Sequence, residues 1–303
     1  MKKPPQPTPR SMNMHLVHQI FQQTLYDDTQ LCFGPNFAVS AGVNFLDRLL
    51  VLNDKGPYCL EDYRFGLLLE GEIHATINLI PTHITAGQYS YLGQGSIIQL
   101  HQASPGAIMK GCILSPYIVN RLTTTAALPI LSNPATSFVG TTTAYDREFL
   151  EQMLRTIWQF IHQEAYPERV LHALFAAIIE YYNHLYVLQH NLNTDHLGRA
   201  NLFNQFISLV NAHCDEARAI AYYADRLCLS PRYFSSLIQE QSGHTAKHWI
   251  DQAVVTRAKI LLRHSAKTIS QISAELHFPN DSFFCKFFRR LTGMSPTAYR
   301  EQG

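Results

Sequence analysis

Residues 220–299 contain the same pattern of apolar residues, helix caps and glycines twice. In each copy, a short segment with apolar residues at helical spacing is followed by a break and by a second such segment that ends at a glycine. Phe234 and Gly243 of the first copy correspond to Phe284 and Gly293 of the second. Two helices joined by a short turn form a helix-turn-helix, whose second helix enters the major groove of DNA. The repeat therefore predicts a C-terminal all-α domain with two helix-turn-helix motifs.

The predicted helices begin at residues that favour helix starts. Ser230 followed by Pro231 marks the start of the second helix in the first copy, and Asn280 does so in the second copy. The turn of the second copy is one residue longer than the turn of the first. Between the copies, residues 245–264 have the apolar pattern of an amphipathic helix. Such a helix would act as a rigid spacer between the two motifs.

The C-terminal region, from about residue 205 to residue 300, resembles the DNA-binding domain of the AraC/XylS family of bacterial transcription regulators. The matching segments are Tyr222–Phe234, Ala258–Leu262 and Phe283–Arg300. His277 stands where the family usually has glycine, and Val254 stands where it tends to have arginine. A residue other than glycine at the first of these positions must adopt a positive φ or change the turn. The resemblance implies a sequence-specific DNA-binding transcription regulator that is not an enzyme.

Polar residues on the second helix of each motif are the candidates for contact with DNA. The candidates for base contact are Arg232, Ser235 and Ser236 in the first copy and Asp281, Ser282, Cys285 and Lys286 in the second. Arg232 can donate two hydrogen bonds to guanine and Lys286 one, whereas a helix-capping role for Asp281 is at least as plausible. The candidates for phosphate contact are Arg263, Lys267, Arg289 and Arg290.

Charge and cysteine usage agree with this interpretation. Residues 200–303 carry 12 Lys and Arg against 8 Asp and Glu, whereas the whole chain has a net charge of only +1. The basic excess lies where phosphate binding requires it. The six cysteines show no CxxC spacing, which indicates reduced thiols and no structural zinc site. Because we find neither an apolar run of transmembrane length nor a signal peptide, we expect a cytoplasmic protein without membrane contact.

The N-terminal half has a different pattern, with short apolar runs separated by Gly, Pro and Asn. Residues 64–70 and 72–80 read as two strands across a tight turn, and further strands follow near residues 95–100 and 107–115. This spacing predicts a β-sandwich or small barrel. The family resemblance implies a cupin-like effector domain over residues 31–145. The expected fold class is therefore α+β, with a cupin-like β domain and packed helices before the all-α DNA-binding domain.

An effector domain would need a mostly apolar pocket with a few polar groups. The candidate lining residues are Tyr63, Phe65, His74, Ile77, Gln99 and His101. No cofactor and no metal are expected, because His74, His83 and His101 do not form the His-x-His pair of metal-holding cupins. The alternative function is a cupin-type sugar-binding or isomerase enzyme with an incidental helical tail.

The remaining segments complete the expected domain organisation. Residues 1–30 are predicted to be a disordered or loosely ordered tail, and residues 191–200 a polar linker before the DNA-binding domain of residues 201–303. Residues 146–190 have two apolar helical stripes, of which the second, from Leu171 to Leu185, is broad enough to suggest dimerisation. The expected partner is double-stranded DNA, with RNA polymerase, a small-molecule effector and a second copy of the chain as further candidates.

Overall fold

The computed structural model describes residues 11–22, 30–43, 57–123, 128–131, 136–191 and 197–301. These residues fall into two compact units. The N-terminal unit comprises the described residues within Met12–Val51 and Leu60–Leu197. The C-terminal unit comprises those within Gly198–Gly303, together with the few that are described within Met1–Ser11 and Leu52–Cys59.

Two β-sheets supply most of the N-terminal unit, and two of their strands, the first and the fourth, include the few residues assigned to the other unit. The strands are β1 (Ser11–Met12), β2 (Leu31–Phe33), β3 (Phe37–Val43), β4 (Tyr58–Leu60), β5 (Tyr63–Glu70), β6 (Glu72–Ile77), β7 (Ile80–Thr85), β8 (Gln88–Leu92), β9 (Ile97–Ala103), β10 (Ile108–Leu114) and β11 (Ser137–Thr141). One sheet has five strands in the order β1-β4-β9-β6-β7, and the other has six in the order β11-β8-β5-β10-β3-β2. Within them, β6 pairs antiparallel with β7 and β9, and β5 pairs antiparallel with β8 and β10.

Alternation along β6 decides which face of the five-stranded sheet is covered. Ile73, Ala75 and Ile77 are buried, whereas His74 and Thr76 are only half-buried. Successive side chains of a strand point to opposite faces. The isoleucines and the alanine therefore face the apolar interior, and His74 and Thr76 lie on the outward face.

Helices cover the six-stranded sheet. The helices of this unit are α1 (Met14–Gln22), α2 (Pro116–Leu122), α3 (Ala144–Ile161) and α4 (Glu168–Asn191), with a short 3-10 helix at Pro129–Leu131. Phe175 and Tyr182 of α4 are fully buried, and Tyr182 packs edge-on against Phe65 of β5 with ring centroids 5.2 Å apart. The Tyr182 hydroxyl also donates a hydrogen bond to the Gly66 carbonyl at 2.9 Å. The broad stripe of α4, which suggested dimerisation, therefore packs into the core of its own unit.

Over residues 198–301 the C-terminal unit is helical. Its helices are α5 (Leu197–His213), α6 (Ile220–Arg226), α7 (Pro231–Ser242), α8 (Ala246–His264), α9 (Ile269–Glu275), α10 (Asp281–Thr292) and α11 (Pro296–Glu301). The chain thus has the predicted α+β class, with β-sheets in its N-terminal part and helices in its C-terminal part. None of the helices in the described ranges is both long and apolar enough to cross a membrane.

The expected tail and linker differ in part from the structure. Residues 11–22, which were expected to be loosely ordered, form β1 and α1. The linker prediction extended too far, because α4 continues to Asn191 and α5 already begins at Leu197. The other parts of these two predictions, residues 1–10, 23–29 and 192–196, lie outside the described residues.

Candidate nucleic-acid interface

The first helix-turn-helix consists of α6 and α7. The Ser230 side chain accepts a hydrogen bond from the Tyr233 backbone N–H at 3.4 Å, which caps the start of α7 as the sequence predicts. At the other end, Gly243 adopts a left-handed conformation with φ 71°. Phe234 is fully buried and packs edge-on against Phe206 of α5, with ring centroids 5.0 Å apart. Helix α7 therefore presents its other face to solvent.

The second helix-turn-helix consists of α9 and α10 and has its own caps. Thr268 and Gln271 form a reciprocal capping box at the start of α9. The Asn280 side chain accepts from the Phe283 backbone N–H at 3.1 Å, and Gly293 ends α10 with φ 81°. Phe284 and Phe288 lie in the apolar core of this motif, together with Val255, Ala258, Leu261, Leu262, Ile272 and Leu276.

The turns of both motifs contain a residue with positive φ that is not glycine. These residues are Cys228 in the first turn, with φ 55°, and His277 in the second, with φ 53°. A left-handed residue other than glycine costs about 1–2 kcal/mol. In the second turn a side-chain contact offsets part of this cost, because His277 Nδ1 donates to the carbonyl oxygen of Asp215 at 3.0 Å. The departure from the family glycine at this position is therefore accommodated by positive φ, and the turn is kept.

Helix α8 connects the two motifs as the predicted spacer. Helices α7 and α10 both pack against it. Val254, which occupies the position where the family tends to have arginine, is fully buried. Asp251 of α8 contacts Lys247 at 2.9 Å and Arg290 of α10 at 3.4 Å. The spacer thus holds both second helices through apolar packing, and it also holds α10 through an ion pair.

Arg218 links the start of the first motif to the turn of the second. Its guanidinium lies 3.7 Å from the centroid of the Phe278 ring and donates a hydrogen bond to the Leu276 carbonyl. Burial lowers the pKa of Arg218, while the nearby Asp251 and Asp215 carboxylates raise it. Sequence analysis did not single out Arg218. Its partners lie far along the chain, so no local pattern could have revealed the contact.

The predicted base-contact residues are mostly exposed. Arg232 and Ser236 are exposed on α7, and Asp281, Ser282 and Lys286 are exposed on α10. Ser235 is half-buried and donates to the Pro231 carbonyl of its own helix at 2.7 Å. Cys285 is also half-buried, and burial together with the Asp281 carboxylate raises its pKa, so the thiol stays protonated at neutral pH. The structure therefore brings the predicted side chains together on the N-terminal halves of α7 and α10.

The four candidates for phosphate contact have different surroundings. Arg289 and Arg290 are exposed at the end of α10. Lys267 is half-buried and forms an ion pair with Glu275. The Arg263 guanidinium lies over the Tyr299 ring, 4.4 Å from its centroid. Arg289 and Arg290 are thus presented to solvent, although Arg290 also pairs with Asp251, whereas Lys267 and Arg263 are less exposed and contact Glu275 and Tyr299.

Two exposed aromatic residues on the second helices were missed by the sequence analysis. Tyr233 of α7 is 52% exposed and Phe283 of α10 is 59% exposed. Both occupy the third position of their helix. The repeat itself carried the signal, since it aligns two aromatic residues immediately before the buried Phe234 and Phe284.

The predicted effector-pocket residues do not share one interior face. Phe65 is buried beneath α4, and Ile77 is buried on the inner face of β6. The polar candidates instead lie towards the outside. Tyr63 and His74 are half-buried, and Gln99 lies opposite Thr76 on the outward face of β9. His101 is exposed and contacts Thr76 Oγ1 at 2.7 Å. Strand alternation thus places His74, Gln99 and His101 on the outward face of the sheet, whereas the sequence predicted that they line an interior pocket.

Comparison with known proteins agrees with the helix-turn-helix geometry. A family model described as a helix-turn-helix domain matches residues 223–302. The regulatory protein PocR of Salmonella typhimurium is 34% identical over 93 residues, which cover 31% of this chain and 31% of PocR. The HTH-type transcriptional activator RhaR of Escherichia coli K12 is 26% identical over 158 residues, which cover 50% of this chain and 54% of RhaR. The chain thus matches only part of the length of these curated relatives.

Solved structures with some likeness to this chain include ToxT from Vibrio cholerae O395. ToxT is 14% identical over 80% of this chain and 89% of that chain, with a TM-score of 0.37. The DNA-binding domain of AdpA in complex with a target DNA is 24% identical over 33% of this chain and 89% of that chain, with a TM-score of 0.31. The duplicated motif and the match to the family model show a helix-turn-helix domain over residues 223–302, and this domain is similar in sequence to the matched parts of the regulators PocR and RhaR.

Proposed function

We propose that this protein is a sequence-specific DNA-binding transcription regulator that acts in the cytoplasm. The observation that carries the proposal is the pair of helix-turn-helix motifs whose second helices, α7 and α10, both pack on the spacer α8 and expose polar N-terminal halves. Two such helices on one rigid spacer suit two successive stretches of a DNA site. The competing hypothesis of a sugar-binding or isomerising enzyme leaves the family-matched C-terminal unit without a role, and we do not propose it.

Base contacts are assigned to the exposed side chains of these two helices. Arg232 has the fork of donors that matches guanine, and Lys286 has a single charged donor. The exposed rings of Tyr233 and Phe283 suit apolar contact with thymine methyl groups. Phosphate contacts are assigned to Arg289 and Arg290, because both are exposed at the end of α10. Contacts of this second kind position the protein and carry no direct sequence information.

Replacing Arg232 by alanine tests the assignment of base reading. A preferred DNA site would first be selected from a random library, and binding would then be measured by fluorescence anisotropy on that site and on single-base variants of it. We expect a loss of about 1–3 kcal/mol at the preferred site and a relaxed preference at one base pair. Arg155→Ala, an exposed arginine of α3, is the matched control for the loss of one positive charge. Equal losses on all sequences would assign Arg232 to phosphate instead.

Replacing Arg289 by alanine tests the phosphate contacts. The affinity of the full chain for the selected site would be measured over a series of salt concentrations. Because each neutralised phosphate releases counterions, we expect the slope of log affinity against log salt to flatten by about 0.9. Base preference should stay the same, and the Arg155→Ala control should keep the original slope. An unchanged slope for both Arg289→Ala and Arg290→Ala would place the backbone contacts elsewhere.

Regulation through the N-terminal unit is the finer part of the proposal. RNA polymerase, a small-molecule effector and a second copy of the chain are the proposed partners. The broad stripe of α4 is used within the unit, so a second copy would have to use other apolar residues. Among the described residues of α3 and α4, the exposed large apolar side chains are Tyr145, Phe149, Val170 and Leu188.

A further inference from the structure

The hairpin formed by β6 and β7 carries three potential metal ligands on its outward face. Glu72 and His74 lie two residues apart on β6, so they share the face opposite to the buried Ile73 and Ala75. His83 of β7 lies directly opposite His74 in the antiparallel register. One ligand atom from each of the three side chains lies within 4.8 Å of the others. In the described part of the chain, no other group of three or more such side chains meets this criterion.

The three side chains already contact one another. The rings of His74 and His83 are stacked, with centroids 4.2 Å apart and planes inclined by 9°. His83 Nε2 lies 3.0 Å from the Glu72 carboxylate. The side chains of His83 and Glu72 are 48% and 50% exposed, so an ion from solvent can reach them and water can complete its coordination. A zinc ion would take ligand distances of about 2.0–2.2 Å, and the three ligand atoms already lie within 4.8 Å of one another.

We propose that Glu72, His74 and His83 bind a divalent transition-metal ion, with zinc as the ion that fits best. Two imidazole nitrogens and one carboxylate oxygen form a set that suits zinc, whereas magnesium and calcium prefer ligand sets made of oxygen alone. Three protein ligands leave a fourth tetrahedral position for water or for another ligand. The site is independent of DNA binding and lies outside the motifs that carry the proposed function.

The backbone holds these ligands in place before any ion arrives. The hairpin turns at Asn78 and Leu79, which both have positive φ, of 48° and 72°, as a tight two-residue hairpin turn requires. The Asn78 side chain accepts from the Ile97 backbone N–H at 2.8 Å, which fastens the turn to β9. Strand β6 is also paired with β9 on its other side. Because the ligands sit on paired strands, little conformational entropy is lost when they close on an ion.

A second histidine pair provides an internal comparison. His244 and His248 of the C-terminal unit are also stacked, with ring centroids 4.4 Å apart. They are four residues apart along the chain and could hold an ion through two nitrogens. In the described structure they are not part of a three-ligand group that includes a carboxylate. We therefore expect their affinity for zinc to be lower than that of the hairpin.

The proposal is tested by calorimetric titration of zinc chloride into the chelator-treated full chain. We expect one tight site in the unaltered protein. The double variant His74→Ala with His83→Ala should bind zinc at least about tenfold more weakly, since even the outer partners of metal ligands are typically worth about 10- to 100-fold in affinity. The matched double variant His244→Ala with His248→Ala should keep the tight site. Loss of the tight site only in the second variant, or no tight binding by the unaltered protein, would overturn the proposal.

Glu72→Gln provides a second variant that keeps the shape of the side chain and removes its charge. We expect it to weaken zinc binding by at least about tenfold while both histidines remain. Circular-dichroism melting of each variant without metal verifies that the β-sheets are intact, and these melting curves should match that of the unaltered protein because the replaced side chains are largely outside the core. Unchanged zinc affinity in Glu72→Gln would contradict the three-ligand site.

Discussion

Replacing Phe284 by alanine is expected to destabilise the second helix-turn-helix by about 3–5 kcal/mol. Phe284 is fully buried, and its ring lies against Phe278 and Phe288 with centroid distances of 5.2 Å and 6.0 Å. Truncation removes this apolar burial and leaves a cavity that the surrounding helices can fill only in part. The loss should appear as faster hydrogen exchange of the backbone amides in α9 and α10 of the full chain.

Phe283 is the matched control in the same helix. Its ring is 59% exposed, so Phe283→Ala should change stability by less than about 0.5 kcal/mol. The same substitution should nevertheless weaken binding to the selected DNA, because the exposed ring is assigned to contact with a thymine methyl group. Phe284→Ala should instead weaken binding to every sequence. Equal hydrogen-exchange rates in the two variants would contradict the assignment of Phe284 to the core and Phe283 to the surface.

Replacing Arg218 by alanine is expected to lower the free energy of local opening of the turn between α9 and α10 by about 2–4 kcal/mol. The reason is that a charge-assisted hydrogen bond and a cation–π contact are lost. The guanidinium contacts the Leu276 carbonyl and the Phe278 ring, and both partners lie in or beside that turn. Because His277 already adopts a positive φ in this turn, we expect the loss of the Arg218 contacts to increase local opening first at this turn. Hydrogen exchange of the amides at residues 276–280 measures the effect.

A double-mutant cycle separates the contact from other consequences of the substitution. Arg218→Ala and Phe278→Leu should show a coupling energy of about 0.5–2 kcal/mol, as expected of a cation–π pair. Arg226→Ala is the control, because the Arg226 guanidinium also lies over a ring, that of Tyr222 at 4.5 Å, but on the exposed side of α6. If Arg226→Ala accelerated hydrogen exchange at residues 276–280 more than Arg218→Ala does, the Arg218 contacts would not be the ones that stabilise this turn.

Much of the C-terminal unit could be predicted because its signals are local. A serine or asparagine that caps a helix and a glycine that ends it act within one helical turn, so Ser230, Asn280, Gly243 and Gly293 are recognisable without a structure. The class of the N-terminal unit followed in the same way from the alternation along strands such as β6. Alternation alone does not say which face of a strand is covered. The sequence therefore predicts an interior position for His74, Gln99 and His101, whereas in the structure these side chains lie on the outward face of the sheet.

The sequence by itself determined the two helix-turn-helix motifs, the spacer between them and the α+β class, because helix caps and apolar periodicity depend on residues a few positions apart. Only the tertiary structure decided which charged and polar side chains have partners. Strand register brought His83 against His74 and Glu72. Helix packing placed Arg218 on the second turn and Arg263 over Tyr299, which removed one predicted phosphate contact from the exposed set. Such contacts join residues far apart along the chain, and their geometry is set by the packing of whole elements, which no local pattern records.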